Sequence, residues 1–157
     1  MRAVVQTVSR ASVTVDDDVV ASIGPGLLVL VGATHSDSVG IAAELARKVY
    51  ELRIFPPDEV ARAAAVGGHG AGAGERSAAQ LGAPVLVVSQ FTLYGDTRRG
   101  RRPSWSGAAP AEVAEPLLTA FVDALAARGA PVQTGRFRAH MLVESVNVGP
   151  QTILLEL

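Results

Sequence analysis

Two stretches of this sequence, "GLLVLVGA" (residues 26–33) and the opening of "APVLVVSQFTL" (residues 83–93), which becomes polar at its end, are apolar at consecutive positions instead of alternate ones. A strand with one wet face alternates; an unbroken apolar run implies cover on both faces. Each stretch is therefore expected to be a buried strand, and both are far too short to cross a bilayer. The cover has to come from helices, and two segments carry helical spacing. Residues 37–52 place Ile41, Leu45, Val49 and Leu52 on one stripe, with Ser36 or Asp37 as the N-cap. Residues 111–127 place Val113, Leu117, Phe121 and Leu125 likewise, with Pro116 expected in the first turn, where a missing N–H does no harm.

The flanks read as further strands. "RAVVQTVSRASVTVDDDVVASIG" suggests two or three short ones with Asp16 to Asp18 as a turn. The C-terminal part supplies "PVQTG", "MLVESVNV" and "QTILLEL", the last two separated by Gly149-Pro150. Residues 61–79, with five Gly and eight Ala, lack the large apolar side chains that offset ordering entropy, and are expected to be a mobile loop. The order strands, helix, strand, helix, strands implies an α+β fold: a curved mixed or antiparallel sheet, barrel-like, with two main helices on it. At 157 residues one domain is expected over 1–157. The absence of cysteine excludes disulfides and thiolate chemistry. With no signal-peptide pattern in "MRAVVQTVSR", a soluble, cytoplasmic chain is expected. Apolar content this high leaves surface for self-association.

Several chemistries are disfavoured. His35, His69 and His140 are too scattered for a ligand set, so no metal is expected. No G-x-S-x-G, P-loop or dinucleotide fingerprint occurs. Three constellations remain. "SQFTL" offers Ser89, Gln90 and Thr92 at a strand end, either as ordinary alternation or as a margin whose backbone N–H groups stabilise an oxyanion. "RRGRR" concentrates Arg98, Arg99, Arg101 and Arg102 around Gly100 in a chain of formal net charge −1. That is a solvated loop or a local patch for phosphate oxygens, in which Trp105 could stack on a base. "NVGPQT", with Asn147, Gly149, Pro150 and Thr152, is a turn or a place of close backbone approach.

Taken together, "RASVTV", "IGPGLLVLVG", "LRIF", "VVSQFTLYGDTRRGRRPSW", "TGRF" and "NVGPQT" resemble the D-aminoacyl-tRNA deacylase family, in the family's order and over nearly the whole chain. The resemblance implies a homodimer that hydrolyses the ester of D-aminoacyl-tRNA, or glycyl-tRNA, without metal or cofactor, and spares L-aminoacyl-tRNA. It implies a cis Gly149-Pro150 that reaches into the partner's active site. It implies a substrate site of Ser89, Gly149, Pro150, Asn147, Thr152 and Met141, with Gln90, Thr92 and the Phe91 backbone N–H in catalysis. The arginines at 98, 99, 101 and 102 would then hold tRNA phosphates. An aminoacyl ester is already activated, so such a site needs mainly a positioned water and oxyanion donors. Handedness would be read by exclusion, through rigid backbone that leaves an L side chain no room.

The chain departs from that pattern at Thr7 (usually Arg), Arg138 (usually Gly), Val148 (usually acidic or Asn), Gln151 (usually Val) and Gly74-Glu75-Arg76-Ser77 (usually Met-Asn-x-Ser). Two other readings stand beside the leading one: a non-catalytic RNA-binding module of the same fold, and a deacylase with relaxed chiral selectivity.

Overall fold

The computed structural model describes residues 1–56, 74–98 and 100–157. Its organising element is β1 (Arg2–Val15), a 14-residue strand that ends at the expected Asp16–Asp18 turn but is longer than the short strands the sequence suggests. It stays continuous because both its edges are occupied. β3 (Gly26–Gly32) pairs antiparallel with its first half and β2 (Asp18–Ile23) with its second, while β8 (Leu142–Glu156) runs antiparallel along almost its whole length on the other edge. The β1–β2 turn is tight, with Asp16 and Asp17 at φ 51° and 68°, a left-handed conformation that aspartate tolerates. β3 then pairs in parallel with β6 (Val85–Ser89), and β6 in parallel with β7 (Val132–Thr134). The sheet order is β2-β1-β3-β6-β7, with β8 on the far edge of β1. β2 curls back toward β6 and β7, so the mixed sheet is nearly closed and barrel-like.

That curvature explains the unbroken apolar runs. Leu27, Val29, Val31, Val85 and Val87 face a core shared with the helices, whereas Leu28, Leu86 and Val88 face the interior of the curl, against Val13, Val15, Ala21 and Ile23. The helices are α1 (Val39–Glu51), the short α2 (Ala78–Leu81) and α3 (Ala111–Ala126). α1 buries Leu45 and Val49, and α3 buries Leu117, Phe121 and Leu125, the stripes that periodicity indicates.

Four details correct the reading from sequence. The N-cap of α1 is Ser38, whose hydroxyl accepts from the Ile41 N–H. Asp37 is committed elsewhere: its carboxylate accepts from the buried Met1 ammonium at 2.6 Å and from the Thr34 N–H at 2.7 Å. Pro116 lies in the second turn of α3, not the first, and so removes one intrahelical donor. The expected loop over 61–79 does not extend through 76–79. Residues 57–73 lie outside the described residues, but β5 (Arg76–Ser77) pairs with β4 (Arg53–Phe55), and α2 follows at once. Ser77 and Gln80 cap one another's backbone there, a capping box that the Ala-rich composition masks. Finally, the last two expected strands are one, β8, interrupted by a bulge at Gly149-Pro150. Among the described residues, no helix is long and apolar enough to cross a membrane.

Candidate active site

β3 and β6 are parallel, and their carboxyl ends finish side by side. Ligands of sheets with parallel strands gather at such ends. Here the Gln90 N–H donates to the Val31 carbonyl at 2.7 Å, one last rung beyond β6. Gly32 is required at this margin, because a Cβ there would sit 2.8 Å from the Gln90 carbonyl oxygen and 3.2 Å from the Leu93 Cβ. The chain cannot continue as a strand past Gln90. Residues Phe91–Tyr94 instead wind into a 3-10 turn, which corrects the reading of "SQFTL" as uninterrupted strand. The N–H groups of Phe91 and Thr92 open that turn, and the first donors of a helical turn have no acceptor within it.

A cavity of about 530 Å³ opens over this strand end. Ser89, Gln90 and Phe91 form its floor, Ala109, Ala111 and Ala114 at the start of α3 one wall, and Phe137 through Met141 the other. The segment before α3 is held at the rim by the Thr34 hydroxyl, which donates to the Gly107 carbonyl at 2.6 Å, and by the Ala109 N–H, which donates to the Ala33 carbonyl at 2.9 Å. Thr92 is adjacent: its hydroxyl accepts from the Gln90 side-chain amide, which orients both groups. No carboxylate lines the cavity among the described residues, so the walls offer no acidic general base. Tyr94 is no base either. Burial and the nearby Asp37 push its hydroxyl up to about 12, and the Arg2 guanidinium lies over its ring at 4.5 Å.

The rim carries the aromatic and basic groups. Phe91 is 56% exposed and meets Trp105, itself 43% exposed, edge-on with centroids 5.4 Å apart. Backbone bonds between Asp96 and Ser104, 2.8 and 2.9 Å, close the base of the arginine loop. The four arginines are not equivalent. Arg98 is spanned by Asp96, which accepts from its Nε at 2.9 Å and Nη2 at 2.7 Å. Hydrogen bonding to Arg98 holds the Asp96 carboxyl down at about 2. Arg101 and Arg102 are exposed, and Arg99 lies outside the described residues.

The structure brings Ser89, Gln90, Phe91 and Met141 to one cavity, whose described lining does not include Asn147, Gly149 or Thr152; the Pro150 side chain lies outside the described residues. These positions, 147 to 152, belong to β8. Between the pairs Gln6–Thr152 and Val8–Asn147, only Thr7 intervenes on β1 while Val148 to Gln151 intervene on β8. This is a large bulge, and it is pinned from below. The fully buried Thr7 donates its hydroxyl to the Val148 carbonyl at 2.8 Å. The Asn147 amide donates to the Thr7 carbonyl at 2.9 Å and the Gln151 carbonyl at 3.2 Å. Gly149 at its tip is exposed, and a Cβ there would meet nothing closer than Asn147 Oδ1 at 3.6 Å. Sequence reasoning misses Phe137, Arg138 and His140 as cavity walls; the "TGRF" stretch carries the available signal for the first.

Comparison with known proteins identifies the family. A family model described as D-Tyr-tRNA(Tyr) deacylase matches residues 4–156. Proteins named D-aminoacyl-tRNA deacylase from Acidothermus cellulolyticus and Kineococcus radiotolerans are 57% and 55% identical over 157 residues, each alignment covering 99% of both chains. Among solved structures, the c-Myc DNA Unwinding Element Binding Protein superposes with a TM-score of 0.84 at 34% identity, covering 99% of this chain and 98% of its own. A probable eukaryotic D-amino acid tRNA deacylase, at 17% identity, shares the fold with a TM-score of 0.79 over 98% of this chain and 97% of its own. On a match that runs from the first strand to the last, the chain belongs to the D-Tyr-tRNA(Tyr) deacylase family, hydrolases that cleave the ester bond of D-aminoacyl-tRNA.

Proposed function

We propose that this chain is a single-domain, cytoplasmic editing esterase that works as a homodimer, with each active site completed by the neighbouring protomer's Gly149-Pro150 bulge. The observation that carries this reading is a separation. The bulge is built and pinned, yet among the described residues Asn147, Gly149 and Thr152 take no part in lining their own chain's cavity. The space around Gly149 inside one chain gives no internal reason for a glycine. The reason then lies outside the chain, in a partner and its substrate. The outer edge of β8 has no strand partner among the described residues, and Leu142, Val146 and Leu154 are exposed along it. A long, open, apolar strand edge is a liability that a second copy removes.

Within the cavity, the Phe91 N–H is assigned to the oxyanion of the tetrahedral intermediate, and Thr92, held by Gln90, to the orientation of the terminal adenosine or the ester carbonyl. Ser89 and Met141 border the amino acid. Without a wall carboxylate, proton handling is assigned to water and to the substrate's own ribose hydroxyl, which suits an ester that is already activated. Backbone carbonyls of Gly149 and Pro150, in the family's pattern a cis pair, accept the α-amino group and close off the side an L side chain needs. Glycine, with no side chain, passes the same filter, so glycyl-tRNA mischarged on tRNA-Ala is a second substrate. Asn147 and Thr152 anchor the two ends of the bulge. Arg98, Arg99, Arg101 and Arg102, with the Phe91–Trp105 pair, face the tRNA acceptor end.

One experiment tests the whole reading: the protein is incubated with D-Tyr-tRNA, L-Tyr-tRNA and Gly-tRNA-Ala, and remaining ester is counted. Loss of the D and glycyl esters alone is expected, from a protein that sediments as a dimer. Loss of the L ester as well would mean relaxed chiral selectivity. Binding of tRNA without any hydrolysis would favour a nucleic-acid-binding module, a reading supported by the lack of a carboxylate among the described cavity residues and by the name of the c-Myc DNA Unwinding Element Binding Protein.

A further inference from the structure

Arg138 occupies a backbone conformation that disfavours it. Its φ is 63°, in the left-handed region where a Cβ crowds the following carbonyl, and it is neither glycine nor one of the short polar residues that tolerate the region. The turn is closed by the Ala139 N–H donating to the Arg136 carbonyl at 3.2 Å. Strain of this kind persists only where the surrounding structure imposes it, and it concentrates at ligand sites. The position fits that rule, because Arg138 lines the same cavity as Ser89, Gln90 and Phe91.

Its charge has no internal use. Among the described residues, Arg138 makes no hydrogen bond or ion pair, and it is the only permanently charged side chain on the cavity wall. The other titratable group there is His140, two residues on, and no Asp or Glu lines the cavity among the described residues. An exposed guanidinium at the edge of an acid-free cavity is matched by an oxyanion from outside, through forked, charge-assisted hydrogen bonds. We propose that Arg138 binds the phosphate on the 5′ side of the tRNA's terminal adenosine, and so holds the 3′ nucleotide while the ester sits at Phe91. This rests on the deacylase reading above for the identity of the ligand. It assigns a contact at the cavity wall, separate from Arg98, Arg101 and Arg102.

The test uses the full-length protein and three variants, Arg138→Gly, Arg138→Lys and Arg138→Ala. With D-Tyr-tRNA, Arg138→Gly and Arg138→Ala are expected to raise KM about tenfold to a hundredfold, the range of one charge-assisted hydrogen bond. The expected kcat stays within about twofold, and Arg138→Lys recovers part of the loss as a point charge. Adenosine 5′-monophosphate should bind the wild type more tightly than adenosine does, and Arg138→Gly should abolish that difference. Because glycine relieves the strained φ, Arg138→Gly should melt at or above the wild-type temperature. A marked fall in melting temperature would mean a structural role and overturn the proposal. An unchanged KM together with unchanged nucleotide affinity would overturn it too. Loss confined to D-Asp-tRNA would move the interaction from the phosphate to an acidic side chain, and would overturn it equally. If the wild type hydrolyses no D-Tyr-tRNA, the deacylase reading fails, while the nucleotide comparison still decides whether Arg138 binds phosphate.

Discussion

The cavity and the β8 bulge are built by opposite means. The cavity is a product of packing: two buried parallel strands end together, Gly32 lets the turn at Gln90 close over them, and α3 supplies a wall of small residues. Little in it can move without disturbing the core. The bulge owes nothing to core packing at its tip. It is an excursion of four residues opposite one, held by three hydrogen bonds from Thr7 and Asn147, with open space around Gly149. The contrast teaches that one region is specified by this chain's own stability and the other by something the chain meets. Substitutions should therefore separate stability from activity differently in the two places.

The largest effect is expected at the bulge. Gly149→Val adds a branched side chain where one chain has room for it, so the melting temperature should stay within about 2 °C of wild type. D-aminoacyl-tRNA hydrolysis should nevertheless fall roughly a hundredfold or more, since each 1.4 kcal/mol of clash is about tenfold in rate. Mixing this variant with a cavity variant such as Gln90→Ala should restore activity if the bulge serves the partner's site, because a mixed dimer holds one intact combination. Retained D-selective turnover by Gly149→Val would break the contrast at its root.

In the cavity the order of effects reverses. Gly32→Ala places a Cβ 2.8 Å from the Gln90 carbonyl oxygen, backbone that cannot swing aside, so stability should drop by about 1–3 kcal/mol. Activity falls with it, as the Phe91 N–H is displaced along with Gln90. Chemical denaturation would show this as a lower midpoint with an unchanged slope. A stable but inactive Gly32→Ala would mean that the strand end is more compliant than its packing implies.

Thr7→Val lies between the two cases. The shape is kept, but the Val148 carbonyl loses its buried donor, at a cost of about 1–3 kcal/mol. Because that bond sets the root of the bulge, the ratio of D-Tyr-tRNA to L-Tyr-tRNA hydrolysis should narrow more than D-Tyr-tRNA turnover falls. Equal loss on both esters would make Thr7 a purely structural residue.

The same contrast explains what the sequence discloses. β3, β6 and the stripes of α1 and α3 are readable because burial on both faces, or at helical spacing, leaves a local pattern. The length of β1 is not: only the pairing of both edges with distant strands carries it through 14 residues. Asp37 resembles a cap because no local signal says that a buried ammonium 36 residues away will claim it. In the site, the strand-end residues Ser89 to Phe91 are legible, whereas Arg138 and His140 are not. Their wall depends on a left-handed turn, and an arginine is the wrong residue to advertise one. Asn147, Gly149, Pro150 and Thr152 stand out as a motif, but the depth of their bulge is a register shift that only the paired strand reveals.

The smallest expected effects lie at the rim, where the arginine loop shares the bulge's exposure but not its pinning. Asp96 neutralises Arg98, while Arg101 and Arg102 are exposed. Replacing Arg101 and Arg102 by Ala should flatten the dependence of tRNA affinity on salt, by about 0.7–0.9 in log–log slope for each phosphate no longer neutralised. Asp96→Asn should act the other way, releasing Arg98 and steepening the slope, with little change in stability because the pair is exposed. Acid offers a check without mutation. The folded pKa of Asp96 is depressed to about 2, so the pair persists above the ordinary carboxylate range and is lost as pH falls through that value. An ordinary carboxylate titrates near 4, so NMR of the Asp96 carboxyl should show it still ionised at about pH 3 in the wild type and shifted back toward about 4 in Arg98→Ala. If Asp96 titrates normally beside Arg98, the guanidinium is already free to meet phosphate, and all the described arginines of the loop would then act alike.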